Sequence, residues 1–595
     1  MKLNKFNKRL KDEFNDTIED KIVVKETKKA FHFKFRYVLL SLAAILIVFL
    51  VTDHIMIQNY NSKAIAARSN YENVELSTQK YDSEEKLNSA LVYTYNYEKK
   101  LSTLDRIGSM FSLLQGCSSR TRYAESKDET QVPGGSAIPG GSNNSSYNTN
   151  VQENGIDEAD VAKCDGTYIY SLSNDYLNIY SLEGNLVLQK EIYAKDMYVK
   201  DDKLVLFSTR NMEIFTFDGN NITSNKKLDK EIVETRLFDN YLYAVTIEGL
   251  DTSNVNYSNA YYDGSVNPYA LYRIYKINLD NLDDIKEADL ASSTRSMIYM
   301  SDNYFCFITT NDFYSYPTCT NIFILDLNLE GYAAIKEKGY ALNKYSFSEY
   351  DGMLRYVLTD IASSNPIHNS IYVYDLEKKE LKGSLENKIG LNYELVKSVR
   401  FEKNLCYVCT YRNTDPLYLI DLSDPSNIKI ESELHVSGYS GYLHNFIIDG
   451  TTYTLGVGYN DSRLPKVSLY KEEDGDLVQV GKSLVLTLSA NQVLFDENGY
   501  LIQDIKYYNY NALVNSYIGY FFYINPLEPE VIYFGAPAAD HTYLIFKIDT
   551  AKEEPISVYK EHTYTQKTYY AYLRCFLVNG KLYYVGDGTI SIENF

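Results

Sequence analysis

Seven cysteines stand at positions 117, 164, 306, 319, 406, 409 and 575, and Cys406 with Cys409 forms a C-x-x-C. That spacing serves zinc knuckles and redox dithiols. Here it lies inside LCYVCTY (405–411), which reads as a strand, and strand positions three apart point to opposite faces. Two buried thiols are expected. Cys306 and Cys319 could pair across adjacent strands. Of the seven histidines, His368, His435, His444, His541 and His562 fall in the long C-terminal region, and none shows H-x-x-x-H spacing.

Carboxylates crowd ENGIDEADVAKCDG: Glu153, Asp157, Glu158, Asp160 and Asp165. Such a cluster could bind Ca²⁺, which takes six to eight oxygens, but the twelve-residue acidic loop is absent and a solvated or strand-capping role is the simpler reading. The best ligand-binding candidates by chemistry are Arg400, Arg412, Asp415 and His444, a charged group within one block of sequence. The plainer alternative is that Arg412 and Asp415 fix the turn before Pro416. No residue is assigned as catalytic or as a metal ligand, and LLQGC (113–117) follows a polar helix, which argues against lipidation of Cys117.

These groups must be positioned by strands. The chain has 59 tyrosines and no tryptophan, and aromatic and β-branched residues suit a pleated, half-buried surface. A net charge of -20 argues against nucleic acid as partner, because phosphate binding calls for a basic face. The 45% apolar content supports a sizeable core.

Near the amino terminus YVLLSLAAILIVFLVT (37–52) is free of charge and is extended by Ile55, Met56 and Ile57, about enough for a bilayer. Residues 1–36 carry eleven Lys or Arg against six Asp or Glu, and only Lys63 follows closely on the other side. The positive-inside bias puts the amino terminus in the cytoplasm and the rest outside. The competing reading is a signal peptide cleaved near Ala64-Ile65-Ala66, whose spacing is poor. The expected organisation is a basic cytoplasmic tail (1–36), a transmembrane signal anchor (37–57), an extracellular helical stalk (58–131), a flexible linker (132–150) rich in Gly, Ser and Asn, and a domain over 151–595.

In that domain a beat recurs: a strand, a turn, and a strand ending in an acidic turn. It appears in YIYSLSNDYLNIYSLEGN (168–185), LVLFSTRNMEIFTFDGN (204–220), NIFILDLN (321–328), SIYVYDLEKKEL (370–381), LCYVCTYRNTDPLYLIDLSDP (405–425) and LYYVGDGTISIEN (582–594). Each strand alternates apolar and polar positions, and a spacing of roughly 30 to 50 residues suits propeller blades. A run of β-sandwich domains is the alternative. The expected fold is all-β, a propeller of about eight four-stranded blades with seven also allowed, its ring often closed by strands shared between the chain ends. Asn-Gly in FDENGYL (495–501) and VNGKLYY (578–584) predicts hairpin turns.

Three blocks, TNVQENGIDEADVAKCDGTYIYSL (149–172), SVRFEKNLCYVCTYRNTDPLYLIDLSDPSNIKIESELHVSGYSGYLH (398–444) and LRCFLVNGKLYYVGDGTISIENF (573–595), resemble a secreted or membrane-anchored bacterial and archaeal β-propeller family distantly related to WD40 repeats. The resemblance implies an extracytoplasmic propeller behind an anchor and transfers no catalytic residue.

The functional expectation is a binding or scaffold module for protein or cell-wall polymer, presented at the cell membrane on one N-terminal helix, with a Tyr-rich surface as contact area. The alternative is a propeller hydrolase with an unfamiliar active site. Asp-box sialidase and quinoprotein blades depend on Trp, which the chain lacks, and no G-x-S-x-G elbow is present.

Overall fold

The chain divides into two compact units, Met1–Asn73 and Val74–Phe595. The computed structural model describes residues 78–80, 82, 83 and 85 and most of 151–595, apart from short breaks and the longer stretches 250–259, 263–269, 362–366, 412–414, 487–509 and 565–569. The expected tail, membrane anchor, linker, Cys117 and His541 lie outside the described residues, as does most of the expected stalk. No helix among the described residues is long and apolar enough to cross a membrane.

From residue 162 the chain folds into consecutive sheets that follow one another in sequence order and are antiparallel apart from the parallel pairing of Ala260–Tyr262 with Ile285–Ser292 in the third. They span 162–191, 196–228, 232–292, 295–338, 347–389, 395–436, 439–485, 521–563 and 574–594. We number them blades 1 to 9. The first strands of blades 1 and 2, of 3 and 4, and of 6 and 7 touch one another, whereas fourth strands such as Leu186–Glu191 and Ile222–Leu228 are largely exposed. The first strand of each blade is therefore innermost.

Nine apolar clusters lie between consecutive blades. One joins Leu177 and Ile179 of blade 1 to Leu204 and Phe215 of blade 2, and the series runs on until Ala162 and Ile169 of blade 1 meet Phe576 and Tyr583 of blade 9. The clusters close a ring. Each fully buried Leu, Ile or Phe side chain contributes about 1.5–3 kcal/mol to holding it.

Nine blades replace the expected eight. Two beats are obscured in the sequence. In blade 3 a long connection, 250–269, separates Tyr241–Gly249 from Ala270–Asn278 and hides their pairing. In blade 7 the third strand, Pro465–Glu473, runs into an Asp-Gly hairpin at Asp474 and Gly475 instead of the apolar-acidic turn. Closure differs too. Blade 9 takes its three strands from the C-terminal end alone, and the N-terminal strand Ile156–Asp157 pairs with the innermost strand of blade 3. The ring closes by packing, without a shared strand.

The recurrent acidic turn has a physical cause. Asp326, Asp375 and Asp421 each end a third strand, and their Oδ1 atoms accept from the backbone N–H groups of Asn328, Lys378 and Ser423 at 2.8, 2.9 and 2.8 Å. Side-chain capping of this kind is why Asp favours turns. After Asp375 and Asp421 the apolar residue that follows is buried, and its N–H reaches back to the turn between the first and second strands: Leu376 to Gly352 O at 3.0 Å and Leu422 to Asn404 O at 2.8 Å. In six of the nine blades that inner turn is a two-residue hairpin with positive φ, as at Asn579 (50°) and Gly580 (72°), which bears out the Asn-Gly reading of VNGKLYY.

Among the described residues most tyrosines are at least partly buried, while Tyr176, Tyr193, Tyr350, Tyr559 and Tyr572 are exposed. Tyr170, Tyr198, Tyr243, Tyr272, Tyr299 and Tyr583 are among the largest fully buried side chains or nearly so. Their hydroxyls bridge blades: Tyr243 OH donates to Leu327 O of blade 4 and Tyr583 OH to Leu182 O of blade 1, both at 2.9 Å. Phenylalanine would fill the same space and leave a carbonyl unsatisfied. Tyr583→Phe is expected to lower the unfolding free energy by about 1 kcal/mol, read as a shift of the urea midpoint.

The cysteines behave as strand residues. Cys406 packs between blades 5 and 6 and Cys409 between blades 6 and 7, on opposite faces as expected. Cys306 and Cys319 form no disulfide with each other: their strands pair, but Cys306 stands opposite Ile324 and Cys319 opposite Asn311. That offset of five residues, about 16 Å along a strand, forbids the suggested disulfide.

Candidate functional site: the central channel and its mouth

Residues 151–160 run along the inner wall of the ring. Gln152 Nε2 donates to Lys344 O at 2.7 Å and to Phe347 O at 3.2 Å on blade 5. Tyr299 OH of blade 4 donates to Glu153 Oε1 at 3.0 Å. Ile156–Asp157 adds to blade 3, and Asp160 forms a bridge with Met197 of blade 2. A segment in contact with so many innermost strands occupies the central channel and plugs it.

This accounts for the acidic cluster. Asp157 pairs with Lys163 at 2.7 Å, and Glu158 with Lys344 and, at 3.8 Å, with Arg236. Asp160 receives Nε of Arg574 on both carboxylate oxygens, at 2.9 and 2.8 Å, and Nη2 at 2.5 Å. Asp165 caps the N–H groups of Thr167 and Tyr168, both at 2.7 Å. Four of the five carboxylates thus hold cations or cap turns. Burial pushes the Glu158 carboxyl up, but Lys344 and Arg236 outweigh it and hold the group below its ordinary range. Among the described residues no group of His, Cys, Asp and Glu is arranged to hold a metal ion.

The arginines that receive this plug form a pattern. Arg236, Arg400 and Arg574 stand on the innermost strands of blades 3, 6 and 9, one third of the ring apart, and are 4, 6 and 4% exposed. Glu158 reaches the first and Asp160 the last. Glu153 faces the second and also Arg355, but its one hydrogen bond goes to Tyr299. Burial pushes the Glu153 carboxyl up to about 7 despite both arginines. Asp196, on the innermost strand of blade 2, is likewise pushed up to about 7 by burial and by Asp160.

The four residues singled out in the sequence do not form one constellation. Arg400 lies near the end of Leu395–Glu402, close to the two-residue turns. Asp415 opens the third strand of blade 6, at the opposite face of the ring, and Arg412 lies outside the described residues. His444 is fully buried: its ring stacks on Phe522 of blade 8 at 3.5 Å, and Nδ1 meets Tyr442 OH at 3.1 Å. Burial first and Arg400 second hold its imidazole well below the usual range, so it is neutral. It packs blades 7 and 8 together.

Sequence reasoning missed Arg355, Arg236, Lys344 and Arg574. A usable signal was present: an Arg inside a strand that otherwise reads as buried, in VETRLFDN, SVRFEKN and LRCFLVNG, just before a hairpin turn. A buried guanidinium needs a partner.

Relatives match over limited regions. An uncharacterized protein of Archaeoglobus fulgidus is 36% identical over 180 residues, covering 30% of this chain and 27% of that protein. One of Methanocaldococcus jannaschii is 35% identical over 156 residues, 25% of this chain and 24% of that protein. The matched regions thus span about a quarter of those relatives. Among solved structures, the chain is similar to apo AztD from Citrobacter koseri (TM-score 0.32, 9% identity, 68% of this chain and 95% of that one) and to an acylaminoacyl peptidase of Pyrococcus horikoshii (TM-score 0.27, 13% identity, 62% and 55%). Nothing about site or activity follows from likenesses of that size. A model of the Beta propeller domain family matches residues 145–258 and 219–595, and the chain belongs to that family.

Proposed function

We propose that this protein is a membrane-tethered, extracellular binding or scaffold propeller that recognises protein or cell-envelope polymer through the loops of one face. The observation that carries this reading is the uneven distribution of connections over a channel filled by the chain itself. Because successive strands are antiparallel, the links between second and third strands share one face with the links between blades. The connections that leave after Gly249 and Val485 start from that face, whereas six of the nine inner turns opposite are two residues long, with three residues in blades 1 and 4 and six in blade 8. Loops on a rigid scaffold are where binding residues concentrate.

On that loop face the blade-to-blade links hold Tyr193, Leu391 and Tyr572, which are 59, 62 and 48% exposed. Exposed aromatic and apolar residues on loops make good contact area. Asp415, at the start of a third strand, belongs to the same face, and the apolar span 37–57 supplies the tether.

The test uses the full chain in detergent, carrying a C-terminal tag, incubated with cell-envelope fractions. The wild type is expected to be retained saturably by one protein or polymer, and the triple substitution of Tyr193, Leu391 and Tyr572 by Ser to reduce affinity about tenfold or more, the loss of roughly 1.4 kcal/mol. Undiminished retention of the variant removes the loop-face reading, and turnover of a glycan or peptide library moves the assignment to a hydrolase. On intact cells, added protease is expected to remove the tag, and protection of the tag overturns the extracellular placement.

A further inference from the structure

On the face of the two-residue turns a cavity of about 210 Å³ opens between blades 5 and 6, beside the plug. Its wall includes Glu153, Ser348, Glu349, Arg355, Arg400 and Phe401. Arg355 and Arg400 are 3 and 6% exposed, yet among the described residues the Nε–H of each has no hydrogen-bond partner. A buried donor left unmatched is costly and calls for an acceptor.

Arg355 is held rigidly. Its Nη1 donates to Lys403 O and its Nη2 to Ser348 Oγ at 2.7 Å. The rings of Tyr350 and Phe401 lie 5.1 and 5.0 Å from its guanidinium carbon. Three of the plug's acids are satisfied by direct bonds to cations, at Arg574, Lys344 and Lys163. Glu153 departs from that arrangement. It bonds to a tyrosine, and burial pushes its carboxyl up to about 7 despite the two guanidiniums facing it. Two other acids line this wall, Glu349 and Glu402, and Glu349 already accepts from Ser301 Oγ and from Asn303 Nδ2 at 2.9 Å. Two buried guanidiniums, each with an unmatched Nε–H, on one wall are the complement of an oxyanion, which Arg binds by charge-assisted bonds. The volume is below that of pockets for drug-sized molecules and suits a ligand of few heavy atoms.

We propose that this cavity binds a small oxyanion, a phosphate or carboxylate group, between Arg355 and Arg400. The site is separate from the loop face, so it stands or falls independently of the partner recognition proposed above.

The test is isothermal titration of the full chain in detergent with inorganic phosphate in one arm and succinate in the other, against chloride at matched ionic strength. Saturable heat is expected from at least one oxyanion, and the arm that responds identifies the ligand chemistry. Arg400→Lys keeps the charge and loses the planar fork, and it is expected to weaken binding about tenfold or more. Glu153→Gln, which removes the nearest internal carboxylate, is expected to tighten binding or leave it unchanged. Circular dichroism establishes that each variant is folded. Absence of saturable heat from both oxyanions on folded wild-type protein overturns the proposal, as does binding that is equally tight in folded Arg400→Lys and Arg355→Lys.

Discussion

Arg574→Ala is expected to lower the unfolding free energy by about 3–5 kcal/mol, the usual cost of leaving one partner of a buried ion pair alone. Its guanidinium donates to both carboxylate oxygens of Asp160 and, through Nη1, to Ala571 O at 2.7 Å and Leu573 O at 2.9 Å. The side chains of the pair are 5 and 2% exposed, so neither charge finds water when its partner goes. The double variant Asp160→Asn with Arg574→Met removes both charges, and it should recover part of the loss. Urea midpoints of the wild type, both single variants and the double variant measure the coupling. A single variant within about 1 kcal/mol of wild type means that the plug is not locked through this pair.

The second large effect is a loss of stability as pH rises. Asp196 and Glu153 are pushed up from ordinary values of 3.8 and 4.5 to about 7. A carboxyl raised in the folded state binds its proton more tightly there than in the unfolded chain. Its contribution is therefore fully present below the unfolded value and fades as pH rises through about 7. Between about pH 5 and pH 8 each group should cost roughly 2–3 kcal/mol. Asp196→Asn is expected to flatten this decline by about one group's share, and Glu153→Gln by a similar amount. Denaturation midpoints at the two pH values decide the matter: a wild-type decline that both amides leave unchanged assigns it to other groups.

The fold was legible because its repeated turn is local chemistry. The apolar-acidic-apolar motif of NIFILDLN, SIYVYDLEKKEL and PLYLIDLSDP records an Asp that caps its own turn and a Leu that anchors it, both within a few residues. The count failed where that local signal was broken, in blade 3 by an insertion and in blade 7 by an Asp-Gly hairpin in place of the acidic turn. The site was much less legible. Arg400 was singled out, but beside Asp415, which lies at the other face, and His444, which packs between blades. What makes Arg400 distinctive is its nearness to Arg355 of the neighbouring blade and to Glu153 of the plug. No spacing rule along the chain encodes such a meeting. The acidic cluster was visible as composition, whereas its partners are dispersed over hundreds of residues.

That dispersal bears on how the protein is made. Asp160 waits for an arginine 414 residues downstream. The lock cannot form until the ninth blade has left the ribosome, although the segment that carries Asp160 is among the first of the propeller to emerge. During synthesis its acids and the apolar face of blade 1 that blade 9 will cover remain open to water, to chaperones and to proteases. A chain that stops short of residue 574 keeps them open. Emergence of the ninth blade is thus recorded in the ring as a closed channel, and a molecule that lacks this blade differs from one that has it at its centre as well as at its rim.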